Sequence, residues 1–168
     1  MALDPTSFRE VMSQFTTGIT VVTTCTDEQV HGLTVNAFCS VSLEPPLILV
    51  CINSSGYFHE LVIRSGVFAV NILSDRHEHL SRRFAVPELA PSDRFESVCY
   101  RTEATGAPVL NDAFGWLDCR LTKTFPAGDH TVCIGEIIAL GRTNGVKPLV
   151  FFQSRYHRGD MSSMNNGS

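Results

Sequence analysis

Two stretches of the chain carry residue types that could hold a small ligand. The run from His31 to Pro46 mixes strand formers with an excess of small polar groups. Thr34, Asn36, Ser40 and Ser42 share one parity, while Leu33, Val35, Ala37, Cys39, Val41 and Leu43 share the other. In an extended chain one face is then polar, and it meets either water or a ligand. The second stretch, Asn53-Ser54-Ser55-Gly56, directly precedes a helical pattern. A helix start offers free N–H groups and the positive end of the dipole to an anion, although Ser54 or Ser55 could equally be a simple cap. Arg82 and Arg83 supply guanidinium forks suited to phosphate. Together these groups could cradle a flat ligand with a phosphorylated tail.

Other chemistries lack their residues. The six cysteines lie 12 or more positions apart with no CxxC pair, and most sit in apolar runs, which reads as reduced thiols packed in a core. The histidine spacings do not make a zinc site, since His77 and His79 at i, i+2 point apart on a helix. GxGxxG, GxxxxGK[ST] and GxSxG are all missing, which removes the usual sequence support for dinucleotide binding of the Rossmann kind, P-loop phosphoryl transfer and α/β-hydrolase chemistry. A net charge of −4, from 17 acidic and 13 basic residues without a basic stripe, argues against nucleic acid. No apolar run approaches the roughly 20 residues of a membrane helix, and the N-terminus lacks the order of a signal peptide. The expectation is a cytoplasmic protein.

The elements that must position these residues can be read from periodicity. Phe8, Val11, Met12 and Phe15 form a helical stripe, with Asp4 or Thr6 as cap near Pro5 and Gly18 as the end. Ile19 to Cys25 and Val30 to Leu43, joined by a polar turn, read as a hairpin. Leu47 to Ile52 reads as a strand buried on both faces or closing a barrel. Phe58, Leu61 and Val62 give a helix closed by Gly66, then Val67 to Leu73 a strand. A short helix follows, capped by Ser74 or Asp75, with Leu80 and Phe84 as its apolar edge and Arg82 and Arg83 in its last turn. Val86 to Ser97 is irregular. Trp116 to Thr122, Thr131 to Arg142 and Pro148 to Gln153 complete the strands, with Phe125 to His130 linking the first two. The expected fold is mainly β with short helices, a closed or nearly closed barrel occupying residues 1–160 as one domain, with a disordered tail over 161–168.

Several motifs in order carry a family resemblance. They are Gly32 to Phe38, Ser40-Val41-Ser42, Glu44-Pro45-Pro46-Leu47, Val70-Asn71-Ile72, Pro126 to His130, and Gly135-Glu136-Ile137. Nearly end to end, the chain resembles the short-chain flavin reductases, whose fold is the FMN-binding split barrel. The resemblance implies an NAD(P)H-dependent flavin reductase that reduces FMN or FAD by hydride transfer and releases it to a separate flavin-dependent monooxygenase. It further implies that Thr34, Val35, Asn36 and Ala37 line the isoalloxazine with Ser40 and Val41 beside them. Asn53, Ser54 and Ser55 become phosphate and ribityl contacts, and Arg82, Arg83 and Phe84 complete the pocket. His130 faces the nicotinamide, Tyr156 borders the flavin, no metal is involved, and a homodimer is implied. The sequence does not separate FMN from FAD or NADH from NADPH. Two other readings stay open: a barrel holding FMN or haem tightly without diffusible reductase activity, and a barrel used only for protein interaction.

Overall fold

The computed structural model describes residues 3–111, 113–145 and 147–158. The tail from Met161 lies outside them. Helix α1 (Pro5–Ser13) starts at Asp4, whose carboxylate accepts from the Ser7 N–H at 3.0 Å, with Pro5 at the first helical position. It stops at Ser13 rather than reaching Gly18, and buries none of its residues. A two-residue strand, β1 (Thr17–Gly18), leads into β2 (Thr20–Cys25) and β3 (Val30–Val35), an antiparallel hairpin as expected.

The run from Val30 to Leu43 is not continuous. It breaks at Asn36 and Ala37, after which β4 (Phe38–Leu43) pairs with β5 (Pro46–Asn53) instead of extending β3. The Phe38 N–H donates to Asn36 O at 2.9 Å and the Cys51 N–H to Ala37 O at 3.0 Å, so the corner is held by a bond to a strand far along the chain. β5 is not buried on both faces. Ile48, Val50 and Ile52 are buried and alternate with partly exposed Leu49 and Cys51, because only its inner face meets the core.

Helix α2 (Tyr57–Ser65) ends at Gly66, whose φ of +68° takes the left-handed conformation that glycine adopts without cost. β6 (Val67–Ile72) follows, then a 3₁₀ turn (Asp75–His77) capped by Ser74, and α3 (Glu78–Phe84). The segment that looks irregular in sequence contains a five-residue helix, α4 (Pro91–Phe95), with Pro91 at its start. The short strands β7 (Tyr100–Thr102) and β8 (Pro108–Leu110) pair with each other and have no clear periodic signal. β9 (Gly115–Ala127) and β10 (His130–Arg142) are longer than expected. Phe125 to Ala127 belong to β9, so only Gly128 and Asp129 turn the chain. β11 (Leu149–Phe152) pairs with β1 and with β12 (Arg155–Arg158), a strand not foreseen.

Seven strands form one antiparallel sheet in the order β3-β2-β6-β9-β10-β5-β4. Its two edges, β3 and β4, are consecutive in the chain and only Asn36 and Ala37 separate them. The sheet therefore curls until its edges meet at that corner without a ladder between them, which is a barrel split along one seam. The lumen is filled by Val22, Ile48, Val50, Phe68 and Val70, with Phe58 and Val62 from α2. A second cluster, including Ile19, Val21, Leu73, Phe84 and Phe95, packs the outer face against α3 and α4. Of the six cysteines only Cys119 and Cys133 are buried. Cys39 and Cys99 are exposed, so the reading of all six as core residues is corrected. Burial pushes the Cys119 thiol up to about 12 and the Cys133 thiol up to about 11.

Candidate active site

The corner between β3 and β4 opens onto a groove of about 880 Å³. Phe8, Met12 and Phe15 line one wall. Thr17 to Thr20, with Phe151, form the floor, and Asn36, Ala37, Cys39, Leu49 and Cys51 form the other wall. The groove lies outside the barrel: Leu49 and Cys51 sit on the face of β5 opposite the lumen, and Cys39 pairs with Leu49. Its size falls in the range of small-molecule sites. Its lining is largely apolar with a few polar groups, and the Thr17 hydroxyl is buried there without a partner. A flat heteroaromatic ring with polar edges fits such a lining.

Thr34 faces α3. Its hydroxyl donates to Ser81 O at 2.7 Å, while the buried Ser81 hydroxyl pairs with the Tyr156 hydroxyl at 2.9 Å. The Arg82 guanidinium lies 4.6 Å from the Tyr156 ring centroid and is held by Glu78 at 2.8 and 3.0 Å. Tyr156 in turn packs edge-on against Phe151, a groove residue, at 5.4 Å. Thr34, Arg82 and Tyr156 thus form one cluster beside the groove. Ser81 ties it together, and the sequence reading missed it because only the fold shows that this serine faces β3.

A second cluster is built on the turn before α2. Asn53 lies directly opposite His130 in the β5–β10 ladder. The Asn53 side-chain oxygen accepts from the Ser55 N–H at 2.9 Å and its hydroxyl at 2.7 Å, and the Ser54 hydroxyl pairs with Thr131 at 3.1 Å. Neither serine caps α2. The cap position is Gly56 with no side-chain bond, so the simple capping reading does not hold. At the β9–β10 turn, His130 Nδ1 lies 2.8 Å from an Asp129 carboxylate oxygen. A carboxylate can only accept, so Nδ1 carries a proton. The hydrogen bond from His130 holds the Asp129 carboxyl below its usual range.

Other expected residues lie elsewhere. Phe84 is 0% exposed in the outer core and Val35 is buried in the lumen, so neither side chain has surface to offer a ligand. Any part either takes in holding a ligand falls to its backbone. Arg83 donates to Glu96 O at 2.5 Å. Ser40 and Val41 are exposed on β4 outside the groove lining, and Val41 sits at a bulge between the pairs Ser40–Ile48 and Ser42–Leu47.

Comparison with known proteins bears on this arrangement. Residues 12–160 match the model of the Flavin reductase like domain. The chain is 40% identical over 160 residues to the NADH-dependent flavin reductase StyB of Pseudomonas fluorescens, covering 92% of this chain and 90% of that protein. It is 35% identical over 156 residues to HsaB of Mycobacterium tuberculosis, the reductase subunit of a flavin-dependent monooxygenase, covering 92% and 82%. The NADH:FAD oxidoreductase SgcE6 of Streptomyces globisporus C-1027, solved in complex with NAD and FAD fragments, superposes with a TM-score of 0.86 at 33% identity, covering 94% of this chain and 96% of that one. With a split barrel, a groove at its seam and a match over nearly its whole length, this chain belongs to the flavin reductase like domain family.

Proposed function

We propose that the protein is an NADH-dependent flavin reductase whose flavin, FMN or FAD, binds in the groove at the seam of the barrel. The observation that carries this placement is the groove itself, where a largely apolar cleft meets the exposed Asn36–Ala37 corner and the Thr34–Ser81–Tyr156–Arg82 cluster. Bound flavin supplies the redox chemistry, taking hydride from the nicotinamide and leaving as reduced flavin. The protein's own part is alignment. Asn36 and Ala37 hold the ring, with Ser40 and Val41 beyond them on β4. The uncapped start of α2 with Asn53, Ser54 and Ser55 takes the ribityl and phosphate groups, with Arg82 and Arg83 as countercharges. His130, at the β9–β10 turn, orients the nicotinamide carboxamide.

Reduced flavin passes to a separate monooxygenase, as the naming of relatives such as HsaB as a reductase subunit supports. A homodimer fits the exposed apolar face of α1, which bounds the groove and would be covered by a second copy. The free cysteines and a nicotinamide substrate fit a reducing compartment, the cytoplasm. The test is NADH and NADPH consumption in air with and without added FMN or FAD. Turnover that requires added flavin and saturates in it is expected. Flavin that copurifies and survives gel filtration, without turnover of added flavin, would favour a tight-binding barrel.

A further inference from the structure

Arg94 on α4 is 3% exposed, yet no carboxylate among the described residues forms an ion pair with it at contact distance, Glu88 acting on it only through its field. Its donors go to backbone carbonyls instead. Nε donates to Leu89 O at 3.0 Å, Nη1 to Phe84 O at 2.7 Å, and Nη2 to Val86 O and, at 3.2 Å, to Pro87 O. A buried guanidinium is costly unless its N–H groups are bonded, so the segment from Phe84 to Leu89 must keep the shape that bonds them. Phe84 O is a C-terminal carbonyl of α3, an acceptor with no partner inside the helix, and a cation suits that end of the dipole.

The end of α3 is in turn locked to β3. The Phe84 ring fills the notch left by Gly32, where an added Cβ would stand 2.7 Å from it. One turn earlier Ser81 O takes the Thr34 hydroxyl. Arg82 and Arg83 lie between these two anchors. We infer that Arg94 is a positioning residue for flavin binding. By tying the end of α3 to α4, it holds the arginine-bearing last turn at a fixed height against the strand that leads into the Asn36–Ala37 corner. This inference rests on the placement of flavin beside α3 and β3 given above.

The test compares Arg94→Met and Arg94→Lys with the wild type in steady-state turnover, varying flavin at saturating NADH and NADH at saturating flavin. Flavin KM is expected to rise on the order of tenfold, the loss of about one charge-assisted hydrogen bond, with kcat and NADH KM within about twofold. A variant in a separate core cluster, Val109→Ala, serves as control for stability alone. It lowers the melting temperature without moving flavin KM. Gly32→Ala, which pushes on Phe84 from the other side, should raise flavin KM as the Arg94 variants do. If Arg94→Met does not fold, Arg94→Lys still reports the same ratio. Arg94 variants whose flavin KM stays within about twofold of wild type, while their melting temperature falls like that of the control, would overturn the inference. Arg82→Ala and Arg83→Ala separate the two levels. If they raise flavin KM and the Arg94 variants do not, the inference alone fails. If they leave it unchanged, the placement beside α3 fails and the inference with it.

Discussion

Helices α1 and α2 are each nine residues long and carry the same kind of apolar stripe, yet their surroundings differ completely. α2 buries Phe58, Leu61 and Val62 against the barrel, at 4%, 2% and 0% exposure. α1 leaves Phe8, Val11 and Met12 at least half exposed and turns Phe8 and Met12 to the groove. Periodicity therefore specifies a helix with an apolar face but not what covers that face. In α2 the cover is the protein's own core. In α1 it is the ligand groove and, on our reading, a second copy of the chain.

Substitutions can sharpen or break this contrast. The largest effect is expected from Leu61→Ala, which should cost about 2–5 kcal/mol in denaturant unfolding through a cavity in the core. Val11→Ala, in dilute protein, should stay within about 0.5 kcal/mol of wild type, as surface substitutions do. Met12→Asp should instead shift sedimentation towards the monomer. A Val11→Ala cost equal to that of Leu61→Ala at every protein concentration would show that α1 is covered within the chain and break the comparison. Next comes Gly135→Ala. Its Cβ would stand 2.4 Å from the Phe68 ring and 3.0 Å from Cys119, an overpacking expected to cost about 1–3 kcal/mol.

Alkaline pH should weaken the barrel. Cys133 and Cys119 are held up to about 11 and about 12, whereas the unfolded thiol ionises near 9.0, so the unfolded chain loses protons first. Their contribution is complete below pH 9 and is lost as pH rises through 9 towards 11–12. Melting temperature followed against pH should fall over that window, and the fall should be shallower in Cys119→Ala. The smallest effect is expected at the turn. His130→Ala should raise NADH KM more than it lowers kcat if, as proposed, the imidazole orients substrate and takes no proton. A kcat loss on the order of a thousandfold with unchanged KM would assign it a transition-state role.

Much of the barrel was legible because its signals are local. The β2–β3 hairpin has β-branched strands around a polar turn, and α2 has its stripe and a closing Gly66. Ser74 caps the turn before α3 as its residue type suggests. What escaped reading depends on partners distant in sequence. The corner at Asn36–Ala37 exists because the Cys51 N–H bonds Ala37 O, and nothing inside the run from Val30 to Leu43 announces it. β7 and β8 are three residues each, too short for a period. The site divided the same way. Thr34, Asn36, Ala37, Asn53, Ser54, Ser55, Arg82, His130 and Tyr156 lie at the groove, beside it, or on the neighbouring turn. Phe84 does not, because the notch at Gly32 draws its ring into the core. The roles of Ser81 and Arg94 rest on bonds to backbone carbonyls and a distant tyrosine that no spacing encodes.

The central claim is that flavin binds in the groove outside the barrel, between α1 and the Asn36–Ala37 corner. Ala37→Leu tests it most directly, since the larger side chain intrudes on the groove while leaving the lumen untouched. Flavin affinity, measured by titration of intrinsic or flavin fluorescence, should fall on the order of tenfold or more while the melting temperature of the free protein stays within a few degrees of wild type. An unchanged flavin affinity in a well-folded Ala37→Leu protein would place the flavin elsewhere and contradict the account.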